Sequence, residues 1–324
     1  MEGPCVCRAR TPAYWVAKLG YKIEHGFGAV RTAARLHRLD LYGYLEPVSV
    51  RILYIGEIVG RAGVFAVKRL LPELRNRYRA DLVVASGNGV TGGAGIGRAH
   101  SVYMRKLGID VVTTGEAAFF KKDIVEAFPK SPWMLRPANY PPGVPGRGYR
   151  VYATPAGPVA VLQLLGQAGF PRVHLDNPFA VLDAVLPRLR EESRVVVLEF
   201  RAATTAEKNA MFRYADGRLG AVVGSYGRAL TADARTSAAG TAFITDAGRT
   251  GSLISVCGMD PASRIREFRS GIPGWPRDGG TKPELQGCVL EMADDGRAVS
   301  IEALRVPCGE EFHEGTGNSD KDRG

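Results

Sequence analysis

The sequence predicts an α/β fold. From Val48 onward, short runs of β-branched residues alternate with stretches of helical periodicity, a pattern typical of strands joined through helices. The last two runs follow one another without a long helix between them, which favours a sheet that closes onto a second sheet. A chain of 324 residues with 45% hydrophobic and 23% charged content is large enough to bury such a core.

The individual elements follow from these patterns in order along the chain. The β-branched runs predict strands at Val50 to Ile55, Asp81 to Ala85, Val111 to Thr114, Val159 to Leu165, Val195 to Phe200, Ala221 to Val223, Thr241 to Thr245 and Gly287 to Glu291. Apolar residues at helical spacing predict helices over Val64 to Arg79, Arg98 to Leu107, Asn177 to Glu192, Ala206 to Tyr214 and Asp260 to Arg269.

Three parts make up the predicted domain organisation. Residues 1–47 form a basic extension whose apolar positions recur at helical spacing: Val16, Leu19, Ile23 and Phe27. Either this extension is an amphipathic partner helix, or the native chain begins at Val50 with the first strand. Residues 48–308 form the α/β domain, and residues 309–324 lack apolar residues to bury and are predicted to be disordered.

Composition limits the classes of function. The formal net charge of +10 favours anionic partners such as nucleic acid, nucleotides or a membrane surface, but the arginines are spread along the chain and not gathered into one stripe. The five cysteines do not form a zinc-binding pattern. No apolar run approaches the roughly 18 residues of a membrane span, so we expect a cytoplasmic protein.

A functional site is expected at the carboxyl ends of the strands, because loops converge there and leave backbone amides free. These ends read Gly56-Glu57-Ile58-Val59-Gly60, Ser86-Gly87-Asn88-Gly89, Gly115-Glu116-Ala117-Ala118, Phe200-Arg201-Ala202 and Gly224-Ser225-Tyr226-Gly227-Arg228. With Leu135-Arg136-Pro137-Ala138-Asn139 and Leu175-Asp176-Asn177-Pro178-Phe179, they resemble the 2',3'-cyclic-nucleotide phosphodiesterase branch of the bacterial calcineurin-like metallophosphoesterases. The resemblance covers about residues 50–306 and implies a sandwich of two β-sheets flanked by helices.

The same resemblance implies where a metal centre would lie. In the family, carboxylate, amide and histidine side chains at the strand ends bind two metal ions, and a further histidine serves as general acid. The family's ligand positions are occupied here by Glu57, Asn88, Gly89, Glu116, Arg201, Tyr226 and Arg228, and its general-acid position by Ala117. No ligand of the family is retained in kind.

These replacements predict a pocket without metal. A pair of divalent ions needs clustered imidazoles and carboxylates, and a guanidinium group has no lone pair to donate. Arg201 and Arg228 are expected to pair with Glu57 and Glu116, because an unpaired buried carboxylate is costly. We therefore expect no metal cofactor and no catalytic residue. The leading interpretation is a pseudoenzyme that binds phosphate, a nucleotide or a protein partner.

Other interpretations stay open. One hard cation such as magnesium or manganese, or iron, would be held by Glu57, Asn88 and Glu116 in an active phosphodiesterase with a rebuilt site. The side chains proposed to bind an anion or substrate are Arg201, Arg228, Arg136 and Asn139. The basic surface would instead bind RNA. By resemblance, the chain is also expected to form a homo-oligomer.

Overall fold

The computed structural model describes residues 49–170, 174–274 and 277–309. The predicted N-terminal helix and nearly all of the predicted C-terminal tail lie outside these residues. Within them, the helices are α1 Gly60–Arg77, α2 Arg98–Lys106, α3 Lys122–Ala127, α4 Pro178–Glu192, α5 Thr205–Ala215 and α6 Pro261–Ser270. The strands are β1 Val50–Ile55, β2 Glu57–Ile58, β3 Leu82–Ser86, β4 Val111–Thr113, β5 Met134–Leu135, β6 Tyr149–Thr154, β7 Gly157–Leu165, β8 Val195–Arg201, β9 Ala221–Ser225, β10 Arg235–Thr236, β11 Ala242–Ile244, β12 Arg249–Ser252, β13 Pro283–Met292 and β14 Ala298–Pro307.

The strands form two sheets. The first has eight strands in the order β2-β12-β13-β1-β3-β4-β5, with β14 paired to β13, and the second has six in the order β10-β11-β9-β8-β7-β6. Strands β1, β3, β4 and β5 run parallel in the first sheet, and β7, β8, β9 and β11 run parallel in the second. Their carboxyl ends therefore meet at one edge of each sheet, which is where the site was predicted.

Three apolar layers hold the sheets and helices together. One layer lies between the first sheet and helices α1 to α3, and another lies between the second sheet and helices α4 and α5. The central layer lies between the two sheets. Side chains along β8 point alternately to its two faces, so this strand contributes to two layers. Val195 and Val197 belong to the central layer, and Val196, Leu198 and Phe200 pack towards the helices.

Three helices begin with side-chain caps. Asn177 accepts hydrogen bonds from two backbone N–H groups at the start of α4, Thr204 accepts one at the start of α5, and Asp260 accepts one at the start of α6. Proline occupies the first turn of α4 and of α6, where no helical N–H group is lost. Each cap fixes the residue at which its helix begins.

No helix within the described residues is long and apolar enough to cross a membrane.

Candidate functional site

The inner faces of the two sheets change character towards the carboxyl ends of their strands. The apolar central layer gives way to a buried polar layer. Its residues lie at the alternate strand positions that face the other sheet: Tyr54, Ser86, Thr113, Gln163, Glu199, Arg201 and Ser225. In β8, for example, the inward series runs from Val195 and Val197 to Glu199 and Arg201. The site is built directly on top of this layer.

An ion-pair cluster occupies the centre of the site. Arg201 is 1% exposed at the end of β8, and its Nη1 donates to Glu57 Oε2 at 2.7 Å. Its other two nitrogens form a fork on Glu116, with Nη2 2.9 Å from Oε1 and Nε donating to Oε2. One guanidinium group thus bridges two carboxylates from different strand ends.

A second guanidinium group completes the pairing of Glu57. Arg228 Nη2 donates to Glu57 Oε1 at 2.6 Å and to the carbonyl of Gly93 at 2.9 Å, and its Nη1 donates to the carbonyl of Cys257 at 3.0 Å. The ion pairs expected from the sequence are therefore present, with one difference. Arg228 pairs with Glu57 alone, whereas Arg201 pairs with both Glu57 and Glu116.

The arginines set the protonation state of Glu57. Burial alone would raise the pKa of this carboxyl, but the charges of Arg201 and Arg228 outweigh burial and lower the pKa to about 2. Burial would likewise lower the pKa of Arg201, and the two carboxylates it contacts raise that pKa instead. Glu57 is therefore an anion at neutral pH, and its charge is compensated within the protein.

Asn88 supports the second carboxylate. Its Nδ2 donates to Glu116 Oε1 at 3.1 Å, and its Oδ1 accepts the backbone N–H of Ala117 at 3.0 Å. The amide oxygen that would be offered to a cation is thus directed at the backbone of the loop. Ala117 is buried and its side chain has no proton donor, so the position that the family resemblance assigns to the general acid carries no acid.

Two glycines make room for the arginines. A Cβ atom at Gly89 would lie 3.0 Å from Glu57 Oε1 and 3.1 Å from Arg228 Nη2. A Cβ atom at Gly115 would lie 2.7 Å from Arg201 Cδ, and Gly115 also has a φ angle of +74° that favours glycine. Gly89 therefore fits the cluster because it lacks a side chain.

Tyr226 packs on the cluster without a hydrogen bond to it. Its ring lies 5.1 Å from the guanidinium carbon of Arg201 and meets Phe170 edge-on at 5.2 Å. Tyr226 and Arg228 both have positive φ angles, of 105° and 53°, so the turn after β9 is strained. The strain places one side chain over Arg201 and the other against Glu57.

A buried ion pair that the sequence analysis missed fixes this turn. Asp246 Oδ2 accepts the backbone N–H of Gly227 at 2.7 Å and the Nζ of Lys208 at 2.8 Å, and both charged side chains are buried. Asp246 Oδ1 accepts the N–H of Gly248 at 2.9 Å. Lys208 comes from α5, so no local sequence pattern connects it to the site.

Arg136 and Asn139, the two residues outside the cluster that are proposed to bind substrate, hydrogen-bond to backbone groups. The guanidinium group of Arg136 donates to the carbonyls of Pro137, Val144 and Pro145. Asn139 donates to the carbonyls of Leu165 and Asp176, and accepts the N–H of Leu165. In this arrangement both residues hold the loop in shape, and substrate binding by either of them stays a prediction.

The polar layer beneath the cluster contains unpaired groups that the sequence analysis also missed. Buried atoms without a hydrogen-bond partner include Ser86 Oγ and Gln163 Nε2. Glu199 Oε1 accepts from Ser225 Oγ at 2.8 Å. Burial raises the pKa of Glu199, so the pKa values of two glutamates in the same region are shifted in opposite directions.

A dinuclear metal centre does not fit these residues. Both oxygens of Glu57 and both oxygens of Glu116 accept hydrogen bonds from the arginines, and two fixed cations lie where a metal would need electron donors. In the described ranges, no group of three or more His, Cys, Asp or Glu side chains is arranged to hold a metal ion. The site is instead neutral as built, with two carboxylates and two guanidinium groups.

The comparisons with known proteins identify the family. Residues 53–304 match the family described as YmdB-like protein. The chain belongs to this family of calcineurin-like phosphoesterases. The 2',3'-cyclic-nucleotide 2'-phosphodiesterase of Bacillus subtilis (strain 168) is 33% identical over 258 residues, which are 79% of this chain and 97% of the relative. The predicted family resemblance is confirmed.

Solved structures agree on the fold. A hypothetical protein from Thermus thermophilus matches with a TM-score of 0.74 and 33% identity, over 80% of this chain and 99% of its own. A structure described as a novel phosphatase from Mycoplasma pneumoniae matches with a TM-score of 0.76 and 27% identity, over 81% of this chain and 95% of its own. The predicted two-sheet fold is confirmed. The relatives are named as hydrolases, so their names do not support the expectations of no enzymatic activity and no metal cofactor.

Proposed function

We propose that this YmdB-like protein is a non-catalytic member of its family, in which an ion-pair cluster stands in the place of the metal centre and the protein works by binding a ligand or partner. The observation that supports the proposal is the bridging of Glu57 and Glu116 by Arg201. A metal-dependent hydrolase needs an electropositive ion to polarise the phosphoryl group and a donor for the leaving alkoxide. The described site offers carboxylates that are already paired, and Ala117 at the acid position.

The test is an assay for hydrolysis of a 2',3'-cyclic nucleotide by the full chain with added manganese. The proposal predicts no turnover above the rate of a heat-denatured sample. The Bacillus subtilis relative provides the positive control, because its name specifies this activity. Turnover at ordinary enzymatic rates, roughly 1–1,000 per second, would falsify the proposal.

The ligand of such a protein is predicted to be phosphate, a nucleotide or a protein partner. A small anion that binds at the cluster would compete with the hydrogen bonds that the arginines already make. Arg201 and Arg228 each donate three hydrogen bonds to protein oxygens, so an anion that binds those same N–H groups must displace protein acceptors that include Glu57 and Glu116. Titration calorimetry with inorganic phosphate tests this, and an affinity unchanged in Arg228→Met would exclude the cluster as the anion site.

The second candidate is an active metal-dependent phosphodiesterase, and the comparisons favour it over the first. A relative at 33% identity carries the name of a phosphodiesterase, and a structural relative that of a phosphatase. For this function, Glu57, Asn88 and Glu116 would have to leave the arginines and offer their oxygen atoms to one hard cation such as manganese or magnesium. The metal ion would then polarise the phosphoester, held at the family's ligand positions by residue types that differ from the family's own.

Glu57→Ala separates the two candidates. The active-enzyme candidate requires that this change abolish metal-stimulated turnover, while Glu73→Ala on the exposed side of α1 leaves turnover intact. Because Glu57→Ala leaves Arg228 without its carboxylate partner and Arg201 with Glu116 alone, the milder Glu116→Gln is measured beside it, with the melting temperature of each variant. Turnover that survives both changes would exclude these residues as metal ligands.

Two further predictions concern partners. Binding of RNA through the basic surface should weaken steeply with salt, because counterion release drives such binding. Self-association into a homo-oligomer is measured by sedimentation equilibrium of the full chain. A cytoplasmic location also stays a prediction.

A further inference from the structure

Helix α6 stands apart from the packed body of the protein. None of its ten residues is buried, and it is attached through the Asp260 cap at one end and a left-handed Gly271 at the other. The other long helices each bury at least two side chains, as α2 does with Ser101 and Met104. Among the residues that the structure describes, none covers the exposed side of α6, which makes this side a candidate interaction surface.

Large apolar side chains are concentrated on and around this helix. Ten are exposed in the described ranges, and five of them lie within residues 253–272. On α6, Ile265 is 51% exposed and Phe268 is 74% exposed, and Ile272 after the helix is 70% exposed. Ile265 and Phe268 are three residues apart and share one side of the helix, and Ile272 follows the left-handed Gly271 at which the helix ends. Exposed apolar stripes of this kind mark an interaction surface.

Basic side chains flank the stripe. Arg266 and Arg269 are exposed, and Arg264 lies with its guanidinium carbon 5.3 Å from the ring of Phe268. The one acidic residue of the helix, Glu267, is paired with Arg264 at 2.5 Å. A partner for this surface must therefore supply apolar contacts together with negative charge.

We propose that α6 docks on an anionic lipid surface, with Ile265, Phe268 and Ile272 inserted at the boundary of headgroups and acyl chains and the arginines on the phosphates. A projecting helix presents a convex stripe, which a deformable bilayer accommodates without a matching groove. Arginine stems can lie along the apolar layer while their charged ends reach the phosphates. The formal charge of +10 for the whole chain adds long-range attraction in the same direction.

A second copy of the chain is a poorer occupant of the same surface. Two-fold pairing through α6 would bring Arg266 and Arg269 of both copies into one interface, while the one acidic side chain of the helix, Glu267, is already paired with Arg264, so like charges would oppose the contact. The inference goes beyond the proposed function and is independent of it, since docking of α6 requires neither the presence nor the absence of metal at the cluster.

The experiment is co-sedimentation of the full chain with two kinds of vesicle, equimolar phosphatidylglycerol and phosphatidylcholine, and phosphatidylcholine alone. Binding is expected for the anionic vesicles and should fall as salt is raised. Replacing Phe268 and Ile272 by glutamate should weaken binding by about tenfold or more, because apolar insertion and charge attraction are lost together. Arg266→Glu with Arg269→Glu should have an effect of similar size.

Matched controls place the same changes elsewhere. Val299→Glu replaces another exposed apolar side chain, and Lys68→Glu replaces a basic side chain on α1. Both should bind anionic vesicles as the unaltered protein does. The proposal is overturned if the protein stays in the supernatant with anionic vesicles, or if α6 variants and controls bind alike. It is also overturned if lipid binding persists in the α6 variants while another interaction is lost. That other interaction would be either a dimer, seen by sedimentation without lipid, or the binding of poly-glutamate.

Discussion

The two ends of the space between the sheets are stabilised by different interactions. At the amino ends of the strands, Ile52 and Val197 pack with other aliphatic side chains in a dry layer. At the carboxyl ends, the same inward positions carry Glu199 and Arg201, and the layer becomes a network of charges and hydroxyls. The apolar end gains stability by removing surface from water, whereas the polar end is stable only if every buried charge finds a partner.

This contrast explains why the site's residues depend on one another. A missing methyl group in the apolar end leaves a small cavity, and the surrounding side chains partly adjust. A missing charge in the polar end leaves its partner buried and unpaired. Arg201 has two such partners in Glu57 and Glu116, so it is the residue on which the polar end depends most.

The largest expected effect is therefore that of Arg201→Ala. Removing the guanidinium group leaves Glu116 without its fork and Glu57 with Arg228 alone, and breaking a buried ion pair typically lowers the free energy of unfolding by about 3–5 kcal/mol. Ile52→Val at the apolar end should lower it by about 0.5–1.5 kcal/mol. Urea unfolding of both variants measures the difference. Equal losses would mean that the ion pairs do not hold the polar end.

The dependence of stability on pH sharpens the comparison at Glu57. Its pKa is lowered from 4.5 to about 2 in the folded protein. Because the folded pKa is depressed, the stabilisation is complete above about pH 4.5 and is lost as the pH falls through about 2. The shift corresponds to roughly 3 kcal/mol of stability at neutral pH.

Comparison of the native protein with Glu57→Gln isolates this contribution from that of other carboxyls. The difference in free energy of unfolding should be largest at neutral pH and should shrink as the pH falls from about 4.5 towards about 2. Ile52→Val should show a difference that does not change over the same range. A constant difference for Glu57→Gln would contradict the charge pairing described for this side chain.

A smaller effect is expected at Gly89. Replacement by asparagine, the residue that the family resemblance places here, puts a Cβ atom about 3 Å from Glu57 and Arg228. The crowding should lower the free energy of unfolding by about 1–3 kcal/mol. The losses caused by Gly89→Asn and by Arg228→Ala should combine to less than their sum, because the asparagine no longer meets the guanidinium group once Arg228 is removed. Gly274→Asn is the control, since a Cβ atom at Gly274 has no neighbour within 4 Å and Gly274, like Gly89, does not have a positive φ.

Sequence reasoning found the polar end through a geometric rule and a family resemblance. Parallel strands of one sheet end at a common edge, which predicts where Glu57 and Glu116 lie, and the resemblance adds Arg201 from a strand of the second sheet. The strand Val50–Ile55 was predicted with the bounds that the structure has. The pairing of carboxylates with guanidinium groups followed from the cost of leaving a buried charge alone.

Other features could not be predicted because they depend on tertiary contacts. Strands Tyr149–Thr154 and Ala298–Pro307 were missed, since their residues are mostly half-buried or exposed and carry no continuous apolar run. Lys208 reaches Asp246 from a helix 38 residues earlier in the chain. For Arg136, the family resemblance suggested substrate binding, whereas its donors bind the carbonyls of its own loop.

The most direct test of the central claim is the metal content of the chain. The protein is purified without chelators, dialysed against manganese and then against metal-free buffer, and analysed by elemental mass spectrometry. If the cluster of Glu57, Glu116, Arg201 and Arg228 takes the place of the metal centre, the protein should carry far less than one divalent ion per chain. One or two tightly bound ions per chain, released on replacing Glu57 or Glu116, would contradict the account.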